Sequence, residues 1–129
     1  MARKKIYPTL WWLFRDNLLP DKTYFLGYAR SNLNIKEFLE TKSYEYMKVK
    51  PSEKEKFEKF LSINHYLSGS YDQKASFVKL NEEIDRISNT VCTGSTCSPA
   101  CNRIFYLALP PSVYTSVTEL LSHHCKAAK

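Results

Sequence analysis

The sequence predicts an α/β fold, a parallel sheet with flanking helices, from two kinds of run. Tyr24 to Ser31 (YFLGYARS) opens with an apolar run that ends in Gly27 and suggests a strand, and Ile104 to Leu109 is a continuous apolar run, as expected of a parallel strand buried on both faces. Around them, apolar residues recur at three and four positions, the spacing of one helix face. Ile6, Leu10, Leu13 and Phe14 mark the first helix, and Phe77, Leu80, Ile84 and Ile87 mark another over Asp72 to Arg86.

The remaining elements follow in chain order. Pro8 suits the start of the first helix, where a missing amide costs little, and Trp11 and Trp12 read as packing residues. The run TLWWLF is too short, and too soon followed by Arg15 and Asp16, for a signal peptide or membrane span. Between the first strand and Tyr71 the chain reads as largely helical. Asn34 with Glu37, and Ser52 with Glu55, have the spacing of helix caps. Phe57, Phe60 and Leu61 give the second of these helices an apolar face. HYLSGSYD, from His65 to Asp72, reads as a short strand entering a turn at Gly69. After Leu109, Pro110 and Pro111 fix the turn into a last helix with Val113, Val117, Leu120 and Leu121 on one stripe, bordered by Tyr114.

Arg30 is the residue with the clearest chemical reading. At the tip of the second strand of a dinucleotide-binding fold, an arginine stands where the 2′-phosphate of NADP must sit. Its guanidinium stays charged and can offer two parallel donors to phosphate oxygens. An arginine leaving a buried strand also fits an ordinary solvated surface position, and both readings stay open on this residue alone.

The formal charge of +6 invites a nucleic-acid reading. Lys48, Lys50, Lys54, Lys56 and Lys59 are interleaved with Glu53, Glu55 and Glu58, which predicts a solvated, salt-bridged face. No nucleic-acid motif accompanies the charge, so no nucleic-acid partner is expected. Cys92, Cys97 and Cys101 crowd into TVCTGSTCSPAC, with His123, His124 and Cys125 further on. Their spacing is not that of paired zinc ligands, and the expectation is a surface loop with reduced thiols and no metal.

The segments MARKKIYPTLWWLFRDNLLP, GYARS and RIFYLALPPSVY, in this order and at these separations, resemble the amino-terminal coenzyme domain of glucose-6-phosphate dehydrogenase. The resemblance runs from Met1 to about Cys125 and weakens in the middle. It implies a Rossmann-like, NADP-binding domain over residues 1–129, incomplete because it lacks the first strand and the glycine-rich turn. That GASGDL-type turn should precede Ala2, and the EKP strand and the RIDHYLGKE segment with the general-base histidine should follow Lys129. The chain is therefore expected to be a fragment without the catalytic carboxy-terminal domain, inactive by itself. In the order 3-2-1-4, absence of the first strand leaves strands two and four without the neighbour between them, so marginal folding through open strand edges is expected.

The resemblance further implies cofactor contacts at Ala2 and Arg3 by the helix start, and at Ala108, Pro110 and Tyr114 by the nicotinamide end, with Lys5 near the active-site cleft. Ordinary surface charge for Arg3 and Lys4, and helix packing for Tyr114, are the competing readings. No catalytic residue is assigned, since His65, His123 and His124 do not match the family's base. For the whole enzyme the resemblance implies a cytoplasmic oxidoreductase of glucose metabolism, a homodimer or homotetramer. It would oxidise glucose 6-phosphate to 6-phosphogluconolactone with reduction of NADP, the entry step of the pentose phosphate pathway. Two alternatives stay open: a non-catalytic nucleotide-binding module and a cysteine-linked interaction module.

Overall fold

The computed structural model describes residues 2–20, 22–91 and 102–125. After a π-helical turn at Ala2–Ile6, the elements are α1 (Tyr7–Arg15), β1 (Phe25–Ala29), α2 (Ile35–Thr41), α3 (Tyr44–Met47), α4 (Lys54–Ser62), β2 (Asn64–Ser68), α5 (Lys74–Val91) and α6 (Tyr114–His124). Strands β1 and β2 form a two-stranded sheet. Phe25 N donates to Ile63 O at 3.0 Å and Gly69 N to Ala29 O at 2.9 Å, a parallel register that sets Phe25 opposite Asn64 and Ala29 opposite Ser68. Parallel neighbours need a long crossover, here supplied by α2, α3 and α4.

The chain divides into two compact units, Met1–Gly27 with Asn32–Tyr66 and Tyr28–Ser31 with Leu67–Lys129. The first unit is built on aromatic packing. Trp11, Leu39, Met47, Phe57, Phe60 and Leu61 form its buried core, with Tyr7, Leu10, Phe14 and Phe25 packed against it. The expected helix is present, but its buried face centres on Trp11, which no step of the Ile6, Leu10, Leu13 and Phe14 stripe includes. Trp12 is 38% exposed, its indole donating to Met47 O at 3.0 Å. Lys56 closes the helix end by donating to Arg15 O at 2.7 Å and to Asn17 Oδ1 at 2.9 Å. Asn17 sits at φ 57°, the left-handed conformation that asparagine tolerates after a helix.

Of the two expected caps, one forms. Asn34 Oδ1 accepts from Glu37 N at 3.3 Å. Ser52 does not cap; a 3-10 turn at Pro51–Glu53 starts earlier, and Glu53 Oε1 accepts from Lys50 N at 3.0 Å. Pro51 accounts for the shift, because its fixed φ preorganises helical entry one residue ahead of Ser52. The expected salt-bridged lysine face is also revised. Among the described residues Glu53 pairs with Arg15, at 3.6 Å, and Lys56 is spent on backbone and amide oxygens.

Tyr7 ties α1 to this core through an edge contact with Phe38, ring centroids 5.8 Å apart. Burial, with Tyr66 nearby, pushes its phenol up to about 12. An unfolded tyrosine ionises near ~10, so the stabilisation is complete below that pH and disappears as pH rises to about 12; its size is about 2–3 kcal/mol. Alkaline unfolding in that window should therefore be steeper for the parent than for Tyr7→Phe, as followed by circular dichroism. Equal pH profiles would show that Tyr7 ionisation does not contribute.

In the second unit α5 packs on α6, and Phe77, Leu80, Ile87, Val117 and Cys125 are buried. The helix expected over Asp72 to Arg86 starts at Lys74 and runs on to Val91. Arg103 fastens these helices: one guanidinium nitrogen donates to Asn81 Oδ1 at 2.7 Å and to Cys125 O at 3.0 Å, the other to Asp85 Oδ1 at 2.6 Å. The Cys125 thiol meets Phe77 O at 3.4 Å, and burial pushes its pKa up, against the lowering influence of Arg103. Arg103→Leu should cost about 2 kcal/mol, since it removes charge-assisted bonds and leaves Cys125 O without that donor. Asp85→Asn should cost less than about 1 kcal/mol, because Asp85 is half exposed. Urea denaturation of the two variants checks the ranking.

The sequence-predicted strand at Ile104–Leu109 does not form. The segment is extended without strand pairing, and Ile104 and Tyr106 are 95% and 74% exposed. Apolar composition supplies the strand propensity but not the partner, and among the described residues no strand lies beside it to complete a ladder. The strand at the start of HYLSGSYD is present as β2.

Candidate functional site

Strand β1 delivers its chemistry at its carboxyl end. Tyr28 lies within the strand, and Arg30 stands in the bend immediately after its last residue, Ala29. Tyr28 is partly buried between aromatic neighbours, with Phe77 at 5.8 Å and Tyr71 at 6.1 Å between ring centroids. Its hydroxyl donates to Ser70 O. Burial raises its pKa. Arg30 follows at the strand end, exposed, with its guanidinium 5.4 Å from the centroid of the Tyr71 ring. Among the described residues no carboxylate lies within ion-pair distance of Arg30. A guanidinium held over an aromatic face keeps its N–H edge available to an anion.

The 69–73 turn that leads into α5 is held by two contacts of its backbone amides. Gly69 N donates to Ala29 O at 2.9 Å, and Ser70 N approaches Ser76 Oγ at 3.4 Å. Gly69 is needed for space: a Cβ there would lie 2.5 Å from the Tyr28 hydroxyl oxygen and 2.9 Å from its ring.

The other sequence-predicted contacts are distributed along the chain. Ala108 and Pro110 are exposed, and Pro110 leads into a 3-10 turn at Pro111–Val113, with Val113 N donating to Pro110 O at 3.1 Å. Tyr114 opens α6 and is 39% exposed, so its ring is open to a ligand as well as to packing. Ala108, Pro110 and Tyr114 therefore share the connection from the extended segment into α6, and no ring contact or hydrogen bond joins them to Arg30 among the described residues. Ala2 and Arg3 lie in the π-helical turn of the first unit, and their side chains fall outside the described residues. Lys5 accepts a hydrogen bond at its carbonyl from Thr9 Oγ1, 2.6 Å.

Sequence reasoning missed Tyr28 and Tyr71. Tyr28 carried a usable signal, its place in the strand two residues before Arg30. Tyr71 carried none, since the turn alone determines where its ring lies. His65 stacks on Tyr24 at 6.1 Å, and His123 and His124 occupy the last turn of α6. Cys92, Cys97 and Cys101 lie outside the described residues, among which no cluster of three potential metal ligands occurs. No described helix is long and apolar enough to cross a membrane.

Comparison with known proteins shows the family. Residues 1–129 match the model of "Glucose-6-phosphate dehydrogenase, NAD binding domain". The glucose-6-phosphate 1-dehydrogenase of Ceratitis capitata is 51% identical over 100% of this chain, and that of Takifugu rubripes 46% over 100%. This chain spans about a quarter of the length of those relatives, 23% of each. The sequence from Culex pipiens is 46% identical over 93% of this chain and 72% of its own length. A solved glucose-6-phosphate dehydrogenase in complex with its substrate glucose-6-phosphate superposes with a TM-score of 0.81 at 32% identity, covering 97% of this chain and 25% of that one. The helix-rich parallel pair β1–β2 is thus part of a Rossmann-like dinucleotide-binding domain, and the chain belongs to the glucose-6-phosphate dehydrogenase family.

Proposed function

We propose that this domain binds NADP for a dehydrogenase that oxidises glucose 6-phosphate to 6-phosphogluconolactone, the entry step of the pentose phosphate pathway in glucose metabolism. The observation that carries the cofactor choice is Arg30: exposed at the end of β1, seated on Tyr71 and without a carboxylate partner among the described residues. These residues fit a 2′-phosphate. An arginine of this kind gains most from a dianion, and an aromatic seat limits the rotamers it must give up on binding.

NADP supplies an acceptor for the hydride from the sugar's anomeric carbon. The residues of this chain do the binding. Arg30 takes the phosphate that distinguishes NADP from NAD, while Ala108, Pro110 and Tyr114 border the turn ahead of α6, outside the carboxyl end of an extended segment, where such folds receive ligands. Arg3 adds positive charge near the start of the first helix, beside Ala2. No side chain of this chain is assigned the sugar's hydroxyl proton, so turnover is a property of a larger protein carrying this domain. That protein is read as cytoplasmic and as a homodimer or homotetramer, by its membership in the family.

Retention on immobilised 2′,5′-ADP tests the reading. The chain should be held there, pass through a 5′-AMP matrix, and elute with NADP at concentrations where NAD leaves it bound. Equal behaviour on both matrices would overturn the assignment of NADP.

A further inference from the structure

Arg30 is a long, exposed side chain, and an exposed arginine samples many rotamers. Binding phosphate with it sacrifices that freedom unless the guanidinium is held beforehand. The seat is Tyr71, and Tyr71 belongs to a turn with no regular secondary structure. What holds the turn is therefore what holds the arginine.

Tyr28 meets that turn at two points. Its hydroxyl donates to Ser70 O, the carbonyl immediately before Tyr71, and its ring packs against the Tyr71 ring edge to face, 6.1 Å apart at 60°. Phe77, at 5.8 Å from the same Tyr28 ring, backs it from α5. Gly69 leaves the hydroxyl room to reach Ser70, since a Cβ there would come within 2.5 Å of it. Tyr28 thus links the strand that leads to Arg30 with the turn that carries the arginine's seat.

We propose that Tyr28 is a positioning residue for Arg30: its hydroxyl bond to Ser70 holds Tyr71 beneath the guanidinium and thereby sets the preference for a 2′-phosphorylated dinucleotide. The inference rests on the reading of Arg30 given above. Tyr28 itself does not contact the phosphate. It acts through Tyr71, so its removal should weaken recognition of the 2′-phosphate without affecting the rest of the nucleotide.

The test uses the dehydrogenase that carries this chain, with Tyr28→Phe, Tyr71→Leu and Arg30→Ala compared with the parent. Tyr28→Phe keeps the ring and deletes only the hydroxyl bond. It should raise KM for NADP three- to tenfold with kcat within twofold, and weaken 2′,5′-ADP by the same factor while 5′-AMP binds as before. Tyr71→Leu, which removes the seat without touching the hydroxyl of Tyr28, should give the same pattern and serves if Tyr28→Phe fails to fold. An unchanged KM for NADP in both variants, beside a large loss in Arg30→Ala, would overturn the role of Tyr28 and leave the reading of Arg30 standing. Parallel weakening of 2′,5′-ADP and 5′-AMP would overturn it too, since that is the mark of general disruption. No effect in Arg30→Ala would sink the underlying reading.

Discussion

Trp11→Ala should destabilise the first unit by about 3–5 kcal/mol, the range for deleting a large aromatic from a packed interior. Trp11 is 0% exposed and touches three rings, with centroid separations of 5.3 Å to Phe57, 5.6 Å to Phe60 and 6.4 Å to Phe14. Those contacts come from α1 and α4, so the cavity would open where two helices meet and could not be closed by one side chain moving. Against a total stability of about 5–15 kcal/mol for an ordinary domain, a loss of this size leaves little. Trp11→Phe should cost far less, below about 2 kcal/mol, partly because the indole Nε1 is buried without a hydrogen-bond partner among the described residues and its removal relieves a polar cost. Trp12→Ala should also be mild, given the exposure of that ring. Urea titrations of the three variants followed by circular dichroism give the ranking directly; a loss at Trp12 equal to that at Trp11 would contradict the packing described here.

How much of this was legible in the sequence depended on whether the deciding interaction was local. Asn34 capping Glu37 needs only three residues, and it formed. The Phe57, Phe60 and Leu61 face of α4 follows from helical spacing, and all three are buried. The Ile104–Leu109 strand fails because a strand is made by its neighbour, and apolarity alone cannot supply one. Ser52 was passed over because Pro51, next to it, starts the turn first. At the site, Arg30 was visible from its position shortly after an apolar run ending in Gly27. Its seat was not. Tyr71 reaches Arg30 through a turn whose shape depends on Gly69 leaving space for a hydroxyl forty-odd positions away in sequence, at Tyr28.

On the proposed role of Arg30, Arg30→Ala should weaken NADP binding about 30- to 100-fold while leaving NAD within about twofold, since a charge-assisted bidentate contact contributes roughly 2–3 kcal/mol and only NADP carries a 2′-phosphate. Arg30→Lys should restore only part of the loss. A lysine carries the charge but lacks the planar fork and stacks poorly over Tyr71, so it keeps the attraction and loses the geometry. Because Arg30 is exposed, the surviving electrostatic share should fall with added salt. The pH dependence has a definite sign as well. A phosphate monoester gains its second charge near pH ~6, and the arginine stays protonated throughout. Preference for NADP over NAD should accordingly shrink as pH falls through that value in the parent, and Arg30→Ala should show no such step. A preference that persists unchanged in Arg30→Ala would place the 2′-phosphate elsewhere and remove the chief reason for reading this strand end as the NADP site.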